Sequence, residues 1–264
     1  MNNTSSYHPA ELATVLSYLR VNAVIGWGSL APEGNSDAFY EDGTQRLQRA
    51  GRLLPGKQEG RYRFAEATSR IAATLGDPQI VLLTQRREGA GARIMTHHIR
   101  GANVVELSKG TDGNFQVVEH AALAGAGGAA AAFVGASVPA VETPVRIDTD
   151  RATFEHFQKD AKHGSEKAAQ ECLVKLGATE AAARSAVSAF RTPSACGVIS
   201  IMYCVGNATV DAEAYAVFTN AADESWVAFP PASADGPMVL ERTSLGALTA
   251  RILVTITAKI MEPA

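Results

Sequence analysis

Two adjacent histidines, His97-His98, are the residues whose type best suits them to hold a metal or move a proton. They lie in a run from Arg93 to Arg100 in which Ile94, Thr96 and His98 alternate with Met95, His97 and Ile99. That alternation reads as a strand, and neighbouring side chains on a strand face opposite sides of its sheet. The pair therefore cannot by itself chelate one ion. A further histidine or a carboxylate would have to converge on one of them, and a surface or cross-strand polar pair is the plainer reading. No metal site is expected.

Other reactive residue types fare no better. Cys172, Cys196 and Cys204 are odd in number and have neither CxxC nor CxxxC spacing, which argues against a disulfide framework and a thiolate metal site. Cys196 and Cys204 fall too far apart on one strand to bond to each other, and buried, inert thiols are expected. There is no G-x-S-x-G elbow and no Cys-His-Asn order, and the histidines, His120, His156 and His163 included, show no motif spacing. Gly125-Ala-Gly127-Gly128-Ala-Ala130 resembles GxGxxA, but it falls inside a helix with no βαβ unit around it. Close helix packing is expected there, and no cofactor.

Charge offers one further candidate. Arg86, Arg87 and Arg93 put three positive charges at the tip of a hairpin, a solvated loop in the plain reading and a partner-binding tip in the functional one. The strand faces holding Met95 and Ile99, or Met202 and Cys204, could be core or binding platform, and sequence does not separate those readings. The net charge of −3 gives no footprint for nucleic acid or an acidic membrane surface. With 46% hydrophobic and 19% charged residues, the 264-residue chain has the composition of a globular protein with a sizeable core. The start lacks the basic and apolar segments of a signal peptide, and the Ala- and Gly-rich run from Ala121 to Ala140 is too weakly apolar to hold a helix in lipid. No membrane insertion is expected, and the cytoplasm is the expected compartment.

The elements that must carry these residues repeat. Helices are read over Glu11 to Arg20, Asp37 to about Ala50 and Ala65 to Leu75, with a small hairpin from Leu53 to Phe64. Four strands follow, Ile80 to Thr84, Arg93 to Arg100, Val104 to Leu107 and Phe115 to Val118, and then a helix starting at Glu119. Past a linker at Pro139 to Pro144, helices are read over Thr153 to Lys162, Ser165 to Leu176 and Thr179 to Phe190. Four more strands (Cys196 to Val205, Ala214 to Thr219, Trp226 to Phe229, Met238 to Glu241) lead to a helix from Ser244. The short connections imply antiparallel meanders. The expected fold is α+β, with two pseudo-symmetric halves, residues 1–143 and 144–264. Each half is an antiparallel four-stranded sheet segment with flanking helices.

In this order of elements the chain resembles the EspG family, cytosolic chaperones of type VII (ESX) secretion in mycobacteria and related actinobacteria. The likeness runs from Glu11 to Ile260. It is carried by Gly51-Arg-Leu-Leu, by the helix ending Leu75-Gly-Asp-Pro, by Gly101-Ala-Asn-Val-Val-Glu-Leu with Asp112-Gly, and by Trp226-Val-Ala-Phe-Pro-Pro. The segment Glu213-Ala-Tyr-Ala-Val-Phe lacks the Gly-Arg-aromatic step often found before the family's last strands. The resemblance implies a non-enzymatic chaperone, monomeric or weakly dimeric, that covers an apolar helical tip on a PE–PPE-like heterodimer. It implies a contact through the first hairpin and its strands, for which Arg86, Arg87, Arg93, Met95 and His97 are the matching residues. Two other readings stand beside it: an enzyme or small-molecule-binding protein with a pocket between the halves, and a DNA-binding regulator using the Leu53 to Phe64 hairpin as a wing. The acidic balance counts against the last.

Overall fold

The chain starts with a strand that its sequence does not advertise. In the computed structural model, which describes residues 3–34, 37–58, 61–138, 145–206, 208–231 and 236–261, β1 (Asn3–Tyr7) leads directly into α1 (Pro9–Ser17). The junction is capped from both sides. His8 Nδ1 accepts from the Ala10 amide at 3.2 Å, and Glu11 accepts from the His8 amide at 2.7 Å. Pro9, with no amide to leave unpaired, opens the helix. The helix is shorter than its apolar pattern suggested, and Leu19 lies beyond it, 47% exposed.

Next come α2 (Asp37–Arg49), the hairpin β2 (Leu53–Pro55) and β3 (Tyr62–Phe64), and α3 (Glu66–Gly76). Gly43 lets α2 cross close over α1, because a Cβ there would run into the Ala10 carbonyl and the Thr14 hydroxyl. The first meander is β4 (Ile80–Glu88), β5 (Gly91–Arg100), β6 (Asn103–Lys109) and β7 (Phe115–His120), followed by α4 (Leu123–Phe133). Then come β8 (Arg146–Thr149), α5 (Arg151–His163), α6 (Glu166–Lys175) and α7 (Glu180–Arg191). The second meander is β9 (Ala195–Val205), β10 (Ala208–Thr219), β11 (Ser225–Phe229) and β12 (Met238–Thr243), and α8 (Leu245–Met261) closes the described chain. The expected linker at Pro139 to Pro144 lies outside the described residues.

The fold is α+β. One ten-stranded sheet has the order β1-β7-β6-β5-β4-β9-β10-β11-β12-β8, and β2 with β3 forms a separate pair. The order reads alike from both ends: each meander runs outward from β4 or β9 and is finished by a strand from upstream of its own helices. The expectation of four strands in each half is thus corrected to four plus one. β1 pairs antiparallel with β7, and β8 pairs antiparallel with β12. A second correction concerns Glu119. It does not open a helix, because Glu119 and His120 continue β7 opposite Val105 and Val104 while Asn3 of β1 holds Glu119 from the other side.

Two compact units can be distinguished, each made of discontinuous stretches: residues 1–83, 95–126 and 202–212, and residues 84–94, 127–201 and 213–264. In the first, Leu12, Val15 and Leu16 of α1 and Ile71, Ala72 and Leu75 of α3 cover Val105, Leu107, Phe115 and Val117 of the sheet. In the second, Phe154, Phe157, Val187 and Phe190 of α5 and α7 pack with Trp226, Ala228 and Leu240. The helices α5, α6 and α7 start where short polar residues announce them. The side chains of Asp150, Ser165 and Thr179 accept from the amides of Thr153, Ala168 and Ala182 at 2.8, 3.2 and 3.2 Å. On α8, Leu248, Ile252 and Ile256 recur at helical spacing and are buried. No described helix is long and apolar enough to cross a membrane.

Candidate functional site

The three hairpin arginines do not all lie on one face. Strand alternation sends Arg86 and Arg87 to opposite faces. Arg86, half-buried, donates to the Phe133 carbonyl at 3.4 Å, satisfying an acceptor that the C-terminus of α4 leaves open. Arg93 lies 5.5 Å from the centroid of the Phe133 ring and pairs with Glu88 at 3.2 Å. Two of the three charges are therefore engaged around one end of α4. Arg87 is exposed on the other face, where Gln85, Ala92, Cys196, Val198 and Phe218 share with it a shallow recess of about 220 Å3.

Met95 and His97, expected beside these arginines, are buried in the first unit at 5% and 0% exposure. The histidine pair splits as the alternation requires, but neither ring reaches the surface: of the two expected readings, the surface pair is corrected to two core imidazoles, while His97 does make a cross-strand polar pair. His98 faces the α1–α3 side, where its Nε2 lies 3.1 Å from Thr96 Oγ1, the same hydroxyl that accepts from Trp27 Nε1 at 2.8 Å. Burial, and secondarily the nearby His97, lowers the pKa of His98 to about 3.

His97 faces the opposite side and does meet the partners that sequence reasoning required of a ligand. It stands directly across from Glu106 on β6, and its Nε2 lies 3.2 Å from Glu106 Oε2. His120, near the end of β7, brings its own Nε2 to 2.9 Å from the same oxygen. The register explains the convergence. Glu106 pairs with Val118, two residues before His120, so all three side chains lie on one face of three adjacent strands. One ligand atom from each residue falls within 4.8 Å of the others. The two rings are tilted at 48° with centroids 5.3 Å apart.

Burial disfavours the Glu106 carboxylate, but hydrogen bonds from His120 and His97 outweigh that penalty and bring its pKa down to about 2. Burial lowers the pKa of His97, with the bond to Glu106 opposing. At neutral pH the row is therefore an ionised Glu106 accepting from a neutral His97. With the His97 proton assigned to Nε2 by that bond, Nδ1 presents a lone pair, and it is buried with no hydrogen-bond partner among the described residues. His120 is not legible as a partner in the sequence, because Glu119 and His120 read as the start of the Ala-rich helix. Nothing in the local sequence marks Glu119-His120 as strand; the mark is β1, which pairs with it from across the chain.

The cysteines are half-buried, where buried thiols were expected, and all are free. Burial raises the pKa of Cys172 and Cys204 above the ordinary thiol value, which keeps them unreactive. The GxGxxA run lies within α4, and a Cβ on Gly127 would stand 3.6 Å from Leu253 and Thr249 of α8, the distance of ordinary packing.

Taken together, the sheet order, the helices on it and the doubled meander define an EspG-like α+β fold. Among solved structures the chain is similar to the Mycobacterium tuberculosis type VII secretion system chaperone EspG5, determined in complex with a PE25-PPE41 dimer. The TM-score is 0.65, covering 95% of this chain and 94% of that one at 9% identity. No family model matches the sequence, and no curated protein matches it. The likeness is one of fold.

Proposed function

We propose that this chain is a non-enzymatic secretion chaperone or adaptor that binds a helical PE–PPE-like heterodimer and keeps it soluble for type VII export. The observation that carries the reading is the fold likeness to EspG5 across nearly the whole of both chains. The physical task requires no chemistry: covering an apolar patch on a client removes an aggregation-prone surface from solution. The protein acts as a monomer or weak homodimer in the cytoplasm.

For the contact we propose the first hairpin, with Arg87 and the recess beside it meeting the client. Arg86 and Arg93 hold the hairpin against the end of α4, and Met95 and His97 anchor the same strand from the core. The test is co-expression with PE–PPE-like helical protein pairs, followed by size exclusion. A co-eluting complex lost on Arg87→Glu supports both the adaptor and the face. A complex indifferent to Arg87→Glu keeps the adaptor and moves the face elsewhere. No complex with any such pair removes the adaptor reading.

A further inference from the structure

The row of His97, Glu106 and His120 is more than the hairpin needs. Three strands contribute one side chain each, all pointing the same way, with no loop between them to be ordered. Cross-strand registers fix such residues more tightly than sequence spacing on a single element would. The three are also mixed in kind: two imidazole nitrogens and one carboxylate oxygen, the donor set of borderline divalent transition metals such as zinc.

We propose that His97 Nε2, His120 Nε2 and Glu106 Oε2 form a binding site for one divalent transition-metal ion, zinc by class, with a fourth position left to water or to a group from a bound partner. The inference stands apart from the chaperone reading. Two ligands about 2.05 Å from a tetrahedral ion lie about 3.3 Å apart. The separations of 3.2 Å and 2.9 Å between the two nitrogens and the shared Glu106 oxygen are near that value and all three ligand atoms lie within 4.8 Å of one another, so an ion seats once the Glu106 carboxylate draws back from the point at which both imidazoles aim. Calcium and magnesium, which require oxygen ligands, are excluded by the two nitrogens.

Proton accounting needs no external base for His97. The protons that the Nε2 atoms of His97 and His120 direct at Glu106 move to Nδ1 of each ring when the metal takes Nε2, and on His97 that Nδ1 has no partner among the described residues. A ligating histidine normally donates its second nitrogen to an acceptor, and lacking one costs about 10- to 100-fold in affinity. The site is thus weaker than a structural zinc site with a complete outer shell. Access is from the Glu106 side, where the side chain keeps 14% of its surface exposed against 0% for His97.

The experiment is calorimetric titration of the metal-free full chain with Zn2+, with Mg2+ and Ca2+ as controls. One zinc per chain is expected, with no heat from the controls. Glu106→Gln, which keeps the shape of the side chain, should weaken binding at least tenfold with its thermal melt still cooperative, and His156→Ala should leave binding unchanged. Since His97 is wholly interior, the wild type supplies the second readout: imidazole 15N spectra in which two of the six histidines shift and carry their proton on Nδ1 after zinc. No stoichiometric binding overturns the site. So does binding that Glu106→Gln leaves intact, or shifts confined to His156 and His163; the row is then a hydrogen-bonded strut of the core.

Discussion

Arg86 and Arg87 are neighbours in sequence and opposites in role: one donates to the Phe133 carbonyl at 3.4 Å, while the other stands exposed beside Cys196 and Phe218 with no ion pair among the described residues. Arg86→Ala removes a charged donor from the end of α4 and should lower unfolding free energy by about 1 kcal/mol in urea denaturation. Arg87→Glu should leave stability within about 0.5 kcal/mol of the parent. If both substitutions behave alike in urea, the sorting of the two arginines to separate faces is refuted.

Trp226 is wholly buried, and its indole N–H donates to Ser185 Oγ on α7 at 2.9 Å. Ser185→Ala leaves that donor buried without its acceptor and should cost about 1–3 kcal/mol. Trp226→Phe in the Ser185→Ala background should then add less than it does alone, because the unpaired donor is gone. A double-mutant cycle in denaturant measures this, and strict additivity would show that the bond contributes nothing.

Tyr215 joins β10 to α8: its hydroxyl donates to Glu213 at 3.0 Å and lies 3.2 Å from Thr255 Oγ1. Burial raises its pKa to about 12. In the unfolded chain the phenol ionises near its ordinary pKa of about 10. The stabilisation is therefore complete below pH 10 and is lost as pH rises from there through about 12. In ultraviolet titration one of the six tyrosines should ionise well after the exposed ones, and Tyr215→Phe should flatten the alkaline loss of stability. A variant with an unchanged slope would place the cause elsewhere.

Much of the fold could be read from the sequence, because hydrophobic alternation and turn residues mark the two meanders. Ile80 to Leu82 is a buried apolar run, Gly110 and Gly113 bracket a tight turn, and Ser165 and Thr179 cap the helices they precede. What escaped was non-local. β1 is Asn-Thr-Ser-Ser-Tyr, polar at nearly every position, and becomes a strand because β7 offers it an unpaired edge. β8 is four residues long and buries only Ile147 and Thr149. His120 is hidden for the same reason: without β1 to pair with it, β7 reads as ending at Val118 and His120 as helical, off the face that Glu106 occupies. A candidate site assembled across three strands is a fact about register, and register is settled between segments far apart in the chain.

The order of the large sheet carries one more consequence. A sheet ends in backbone donors and acceptors with no neighbour, and such edges recruit other chains. Here the two ends are β1 and β8, the first five residues long with Asn3, Thr4 and Ser6 at the surface, the second four residues with Arg146 and Asp148 outward. Short, hydrophilic or charged ends give a stray strand little to grip. The long strand β9, mostly apolar, and β4, which begins with the apolar run Ile80 to Leu83, lie in the middle of the order, where both of their sides are already taken. A protein proposed to shield others from sticking is thus built so that its own sheet is a poor template for growth.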